Sequence, residues 1–383
     1  MKKIILSVML LSLSLQAKED TKKVMNEVFN SFSDLMDLNY PLDEFIAGKN
    51  DEKIKTHLEI IRNSFNKSNH NKTFKQVGFR PSFETILDYL DLTIESFRTG
   101  HKQFAHTRIS GLPNVCLSCH GQLTDSYSSQ FKIRLSRIEA KKFGGDFEYA
   151  HFLLALKSSQ KAGTLFEKFI GDEIKRTKTS REIFNGARID TALRKILTIH
   201  TRYSPDIKLA IKTFKRIQKN NDLEKTYQTQ IDSWITQLQG LEKITKDDFR
   251  PKGDETVRKF IETKLQTIVK NNYSIEDGSF DVALSIGAGA FYYYLNQNPY
   301  TDMAPELLYW IALYDRRMNS NMFYAISDLY LIECVKRYPK SPFAKRCYEE
   351  YENSLMVGFS GSSGVNLPLE EEKKLKDLKK LLQ

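Results

Sequence analysis

Cysteine is scarce in this chain, with four in 383 residues. So few exclude a disulfide-dense scaffold, and each must be accounted for singly. Methionine is missing altogether between Met36 and Met303. After the first fifteen residues no run of eighteen apolar residues occurs, which excludes a later membrane-spanning helix of the usual kind. There is no nucleophile elbow and no metal-protease motif. The glycine-rich stretch Gly358–Gly364 lacks the lysine of a Walker loop. It reads instead as a loop that ends a helix, or as a nest of backbone amides. Acidic residues are outnumbered, 48 against 58 Lys and Arg. The lysines are spread along helical segments, so the excess reads as a solvated surface that can steer an acidic partner. No nucleic-acid module is present.

What is there begins with a leader. Lys2 and Lys3 precede the apolar stretch Ile4 to Leu15, and Ala17 stands before the polar Lys18-Glu19-Asp20. This is the pattern of a secretory signal peptide over residues 1–17, too short to span a bilayer. Leu15 is larger than the usual residue two places before the cleavage point.

The chemistry sits in Cys116-Leu117-Ser118-Cys119-His120. C-x-x-C-H is the pattern of covalent haem attachment: two thiols for the two vinyl groups, then an imidazole for the iron. From this composition the string arises by chance about once in a thousand such chains. Two other uses stay open. Zinc would need a fourth ligand, from Cys334 or Cys347 more than 200 residues away. A redox dithiol would want a βαβ context, and no strand pattern surrounds the string. Behind a leader, the haem reading places the chain in the periplasm, where disulfides also persist.

Upstream, apolar residues recur at three- and four-residue steps, which predicts helices. One runs over Lys22–Leu38, a second over Asp51–Phe65 and a third over Ser82–Phe104, with turns at Pro41, Gly48 and His70–Pro81. Gly111 and Pro113 break the pattern just before the string. Residues 18–128 therefore read as a helical bundle ending in the haem turn. In this arrangement, with the haem string last and a methionine in the first helix, the segment resembles the class II (cytochrome c′-like) group of four-helix-bundle cytochromes. Little helix is read after His120, where Gly121 and the polar Thr124 to Ser129 follow, and this departs from the group. The resemblance implies one covalent haem c on Cys116 and Cys119, with His120 as proximal ligand. It implies Met25 as distal ligand where the iron is six-coordinate. Met36, His57, His70 and His106 are the other candidates, and five-coordinate iron is the remaining state. Arg108 is a candidate partner for a propionate, or a surface arginine.

Residues 129–383 read as helix after helix, among them Phe147–Leu156, Ala187–Ile199, Ile207–Ile217, Tyr227–Leu241 and Val257–Val269. A proline followed five residues later by an alanine recurs at Pro205 and Ala210, Pro299 and Ala304, and Pro339 and Ala344. The last two copies are forty residues apart, and each proline falls between helical patterns. This resembles tetratricopeptide repeats, whose usual period is 34. Cys334 and Cys347 flank the Tyr338–Ser341 turn at nearly equal distances, which predicts a disulfide across a helical hairpin. The aromatic clusters Phe291–Tyr294, Tyr309-Trp310 and Phe323-Tyr324 read as packing between repeats, with a partner groove as the alternative.

The expectation is an all-α protein: an N-terminal helical haem bundle followed by a tetratricopeptide-like helical-hairpin array. Its function is one-electron transfer in the periplasm, with the array docking a redox partner protein. It binds no nucleic acid and has no stable membrane insertion once the leader is gone. It is not an enzyme, though peroxidase-like activity of an open iron stays possible in principle. The rivals are a haem-based gas or redox sensor and a repeat adaptor with a structural haem.

Overall fold

Helical periodicity in the sequence becomes helix almost everywhere in the computed structural model, which describes residues 2–40, 42–68, 72–122, 140–179, 186–220, 222–241, 243–244, 246–266, 278–318, 326–362 and 364–383. The chain is all-α, with helical-hairpin packing. It forms two compact units. One contains the described residues through His120 together with 140–155. The other contains Gly121, Gln122 and the described residues from Leu156 onward. The boundary expected at residues 128 and 129 falls outside the described residues. Among the described residues no helix is long and apolar enough to cross a membrane.

The first unit is built on α1 (Lys2–Asn39), the short α2 (Leu42–Ile46), α3 (Asp51–Lys67), α4 (Arg80–Arg98) and α5 (Lys102–His120). The apolar stripes that the sequence predicts turn inward: Leu35, Ile54, Leu58, Leu90, Ile109 and Val115 are all buried. Each such side chain contributes about 1.5–3 kcal/mol of transfer free energy. Helix α1 packs on α3, α3 on α4, α4 on α5, and α5 returns to α1. This closed ring of consecutive antiparallel helices is a four-helix bundle.

Two expectations are corrected here. The single helix expected over Ser82–Phe104 is two, parted at Gly100, whose φ of +83° suits glycine. The fourth helix, expected to be broken by Gly111 and Pro113, is continuous through both and ends in the haem string itself. A proline inside a helix removes one hydrogen bond and crowds a carbonyl, at about 3 kcal/mol. Packing offsets that cost. Pro113 is buried, and α4, α1 and α6 (Asp146–Ala155) all pack on α5. Gly111 makes room for Tyr89 of α4. A β-carbon there would lie 2.5 Å from the Tyr89 hydroxyl, which donates to the Arg108 carbonyl at 2.7 Å.

The second unit strings α7 (Ser159–Thr179), α8 (Gly186–Thr198), α9 (Ile207–Gln218), α10 (Lys225–Gly240), α11 (Lys246–Phe249), α12 (Asp254–Phe260), α13 (Asp281–Gln297), α14 (Ala304–Met318), α15 (Ile326–Arg337) and α16 (Pro342–Gly358). Helices α13 to α16 each pack on the next, the arrangement of a hairpin array. The recurring prolines lie at the turns, and the alanines five residues later are fully buried at helix contacts. Starts are capped locally: Asp206 accepts from the Leu209 amide at 2.9 Å, and Ser341 from the Phe343 amide at 3.2 Å. Cys334 and Cys347 are joined by a disulfide with Cα atoms 6.4 Å apart. Phe291, Tyr292, Tyr294, Tyr309 and Trp310 are buried, as core packing requires, while Phe323 and Tyr324 lie outside the described residues. The Gly358–Gly364 stretch is a correction of the loop reading. Strands β1 (Ser360–Gly361) and β2 (Gly364–Val365) pair antiparallel there, ahead of α17 (Leu369–Leu381).

Two outcomes test this packing. Gly111→Ala drives a methyl into the Tyr89 hydroxyl and destabilises the bundle by about 1–3 kcal/mol, read by urea denaturation. Cys334→Ser opens a loop of sequence separation 13 and lowers stability by about 3 kcal/mol on the chain-entropy model. Reducing agent lowers the wild type to match it and leaves the variant unmoved.

Candidate haem site at the end of the bundle

Helix α5 carries Cys116 and Cys119 one turn apart, so both thiols leave the same face. The two are not disulfide-bonded; Cys119 is buried and Cys116 half-buried. Burial pushes each thiol up to about 12. They occupy the last turn of the helix, where the carbonyl end of the dipole disfavours a thiolate. A redox dithiol is instead activated at a helix N-terminus or beside a cation. The dithiol alternative lacks that surrounding here. Zinc fares no better. Cys334 and Cys347 are committed to each other, and among the described residues no group of three or more His, Cys, Asp or Glu is arranged to hold a metal ion.

His120 follows in the same turn, and its Nδ1 lies 2.6 Å from the carbonyl oxygen of Ala155. A carbonyl only accepts, so Nδ1 carries the proton and the lone pair falls on Nε2. This is how a ligating histidine is usually oriented: one ring nitrogen donates to a carbonyl while the other faces the metal. The donor set therefore fits a haem on two counts: two adjacent thiols and an imidazole already in the ligating tautomer. A haem iron asks the chain for one or two axial ligands only, fewer than zinc does.

Three contacts set the level of the other candidates. At one end of the bundle the Ser110 hydroxyl is 2.9 Å from Asn39 Nδ2 and 3.0 Å from the Tyr40 hydroxyl. Further along, the Phe32 and Phe152 rings stack at 5.6 Å. At the other end stands the His120 contact with Ala155. Helix α1 thus runs antiparallel to α5 and α6. From Ser110 to His120 is about 15 Å of helix, and from Asn39 back to Met25 about 21 Å. Met25, half-buried, therefore lies at the His120 end, about 6 Å beyond its level. Met36, fully buried, is about 10 Å short of that level.

The histidine candidates are not brought to His120. His106 is about 21 Å away along the same helix. Its ring meets Tyr40 at 5.4 Å and Phe45 at 5.3 Å. His57 sits in the half of α3 pinned to the start of α5 by the Asp51–Lys102 pair at 2.6 Å. It falls about 18 Å short of His120. His70 lies outside the described residues. Arg108 is buried rather than a surface arginine. Its Nε donates to Thr93 Oγ1 at 3.1 Å, its Nη2 to the Tyr89 carbonyl at 3.0 Å, and its guanidinium lies 4.0 Å from the Tyr89 ring centre. Sequence reasoning missed the Ala155 carbonyl, because every residue has one and only the fold selects it.

No family model, no curated protein and no solved structure matches this chain.

His106 gives a testable pH effect. Burial holds its pKa below the usual histidine value, and Nε2 is enclosed without a hydrogen-bond partner. The unfolded chain therefore binds a proton at a higher pH than the folded one. Stability then falls as pH drops through the unfolded value near 6.5 and levels off below the folded one. In His106→Phe this portion of the acid destabilisation disappears, read as a flatter plot of unfolding free energy against pH.

Proposed function

We propose that this chain is a periplasmic monohaem c-type cytochrome of the class II-like kind that transfers single electrons, its helical array docking a redox partner protein. The observation that carries the reading is the His120 Nδ1 contact with Ala155 at 2.6 Å, directly after two same-face cysteines at the end of a four-helix bundle. The proposed location rests on the leader, and the oxidised Cys334–Cys347 pair is compatible with it.

Bound there, haem c would supply a one-electron couple between ferric and ferrous iron. The chain's part in this begins with attachment. The Cys116 and Cys119 thiols each add sulfur and hydrogen across one vinyl double bond, so two thioethers form and nothing is oxidised or reduced. His120 then serves as proximal ligand, its ring plane and basicity set by the hydrogen bond to Ala155. Met25 is the candidate for the opposite side, being at the same end of the bundle. Phe29, Phe32 and Phe152 are buried at about that level and keep the interior apolar, which tunes the potential of a buried iron. No bond of a substrate is made or broken in this account.

Spectra of the haem-loaded protein test the assignment. The wild type is expected to be low-spin, with the sulfur-to-iron charge-transfer band of a His/Met haem, and Met25→Ala is expected to lose that band while keeping the haem. A band that survives in Met25→Ala excludes Met25. A high-spin wild type whose spectrum shifts with carbon monoxide contradicts the electron-carrier reading and favours the gas sensor.

A further inference from the structure

The helical array encloses a second polar centre that electron transfer does not use. Helix α8 continues into a π-helical turn, Ile199–Tyr203, closed by the Ser204 amide donating to the Ile199 carbonyl at 2.8 Å. Such wide turns re-aim side chains and recur at functional sites. Here the turn delivers Arg202 among three tyrosines. Its guanidinium carbon lies 5.1 Å from the Tyr203 ring centre, 4.5 Å from that of Tyr292 and 5.1 Å from that of Tyr314. The stem of Arg202 passes over α13 where Gly289 has no side chain. A β-carbon there would fall 3.0 Å from Arg202 Cγ.

The charges around this guanidinium do not balance. Lys195 and Asp315, both buried, act on each other as an opposed pair. The neighbouring network is also neutral: Arg194 and Arg317 bond to Asp190 and Asp281. Among the described residues Arg202 has no carboxylate partner, and its Nε is enclosed with no acceptor. The ring faces attract a cation but hold no net charge. Burial keeps the Tyr203 and Tyr292 hydroxyls protonated well above neutral pH, so they donate rather than neutralise. One positive charge is left over in a desolvated setting, where an unpaired ion is costly. Arg202 and Tyr203 are surrounded by protein yet both keep some solvent-accessible surface, so the centre is reachable from outside.

The geometry points to a binding site for a small organic carboxylate at Arg202. A monoanion matches the single uncompensated charge, whereas a phosphate dianion exceeds it. A guanidinium suits the planar carboxylate. The tyrosine rings offer flat apolar walls to an organic body, and the Tyr314 hydroxyl, in hydrogen-bonding reach of Arg202, orients the cation.

Calorimetric titration of the full mature chain with benzoate, and separately with inorganic phosphate, tests this. Benzoate is expected to bind the wild type at one site, at least about ten-fold more weakly in Arg202→Met, with loss of the charge-assisted bonds, and more weakly in Tyr314→Phe. Circular dichroism checks that both variants fold, and if Arg202→Met does not, Tyr314→Phe decides. No binding of benzoate to the wild type, or unchanged affinity in the folded variants, overturns the site. Phosphate binding more tightly than benzoate in an Arg202-dependent way overturns the carboxylate assignment.

Discussion

The contact between Tyr89 and α5 is the constraint on which the first unit depends. Tyr89 reaches from α4 into the space that Gly111 leaves, bonds the Arg108 carbonyl, and receives the Arg108 guanidinium on its ring and carbonyl. Two residues on, Pro113 costs the helix a hydrogen bond. Were α5 to end there, the cysteines and histidine would hang on a loop. Because it continues, Cys116, Cys119 and His120 stand on a rigid helix, in one register with α1 and α6. Precise sites are better built on such elements than on loops.

That register has chemical consequences. It puts the Ala155 carbonyl opposite His120, and so selects the ring tautomer. It puts Met25 at the same end as the string, while His57 and His106 stay toward the other. The thiols sit at the carbonyl end of a helix, where nothing encourages thiolate chemistry of their own. Such an arrangement suits cysteines whose task is to be bonded once and remain so.

Much of this was legible in the chain. The spacing of Val28, Phe32 and Leu35, or of Ile54, Leu58 and Ile61, reports a buried helical stripe directly. Pro339 with Ala344, and the cysteines flanking that turn, reported a hairpin because proline, small residues and equal arm lengths act locally. What misled was also local. Gly111 and Pro113 are breakers by propensity, and only the Tyr89 side chain, more than twenty residues earlier, explains why the helix survives them. Arg108 looked like a surface residue for the same reason. The Ala155 carbonyl carries no sequence signal at all. The Arg202 centre was equally hidden, since its tyrosines come from separate helices and its π-turn has no pattern of its own.

The central claim is that this bundle end holds a covalently attached haem. The most direct measurement is the intact mass and the pyridine haemochrome spectrum of the mature protein, produced with a c-type haem attachment system, beside Cys116→Ser and Cys119→Ser. The account predicts one haem per chain that survives denaturation in the wild type, one thioether in each single variant, and none in the double variant. A wild-type chain that emerges with two free thiols and no haem would contradict it.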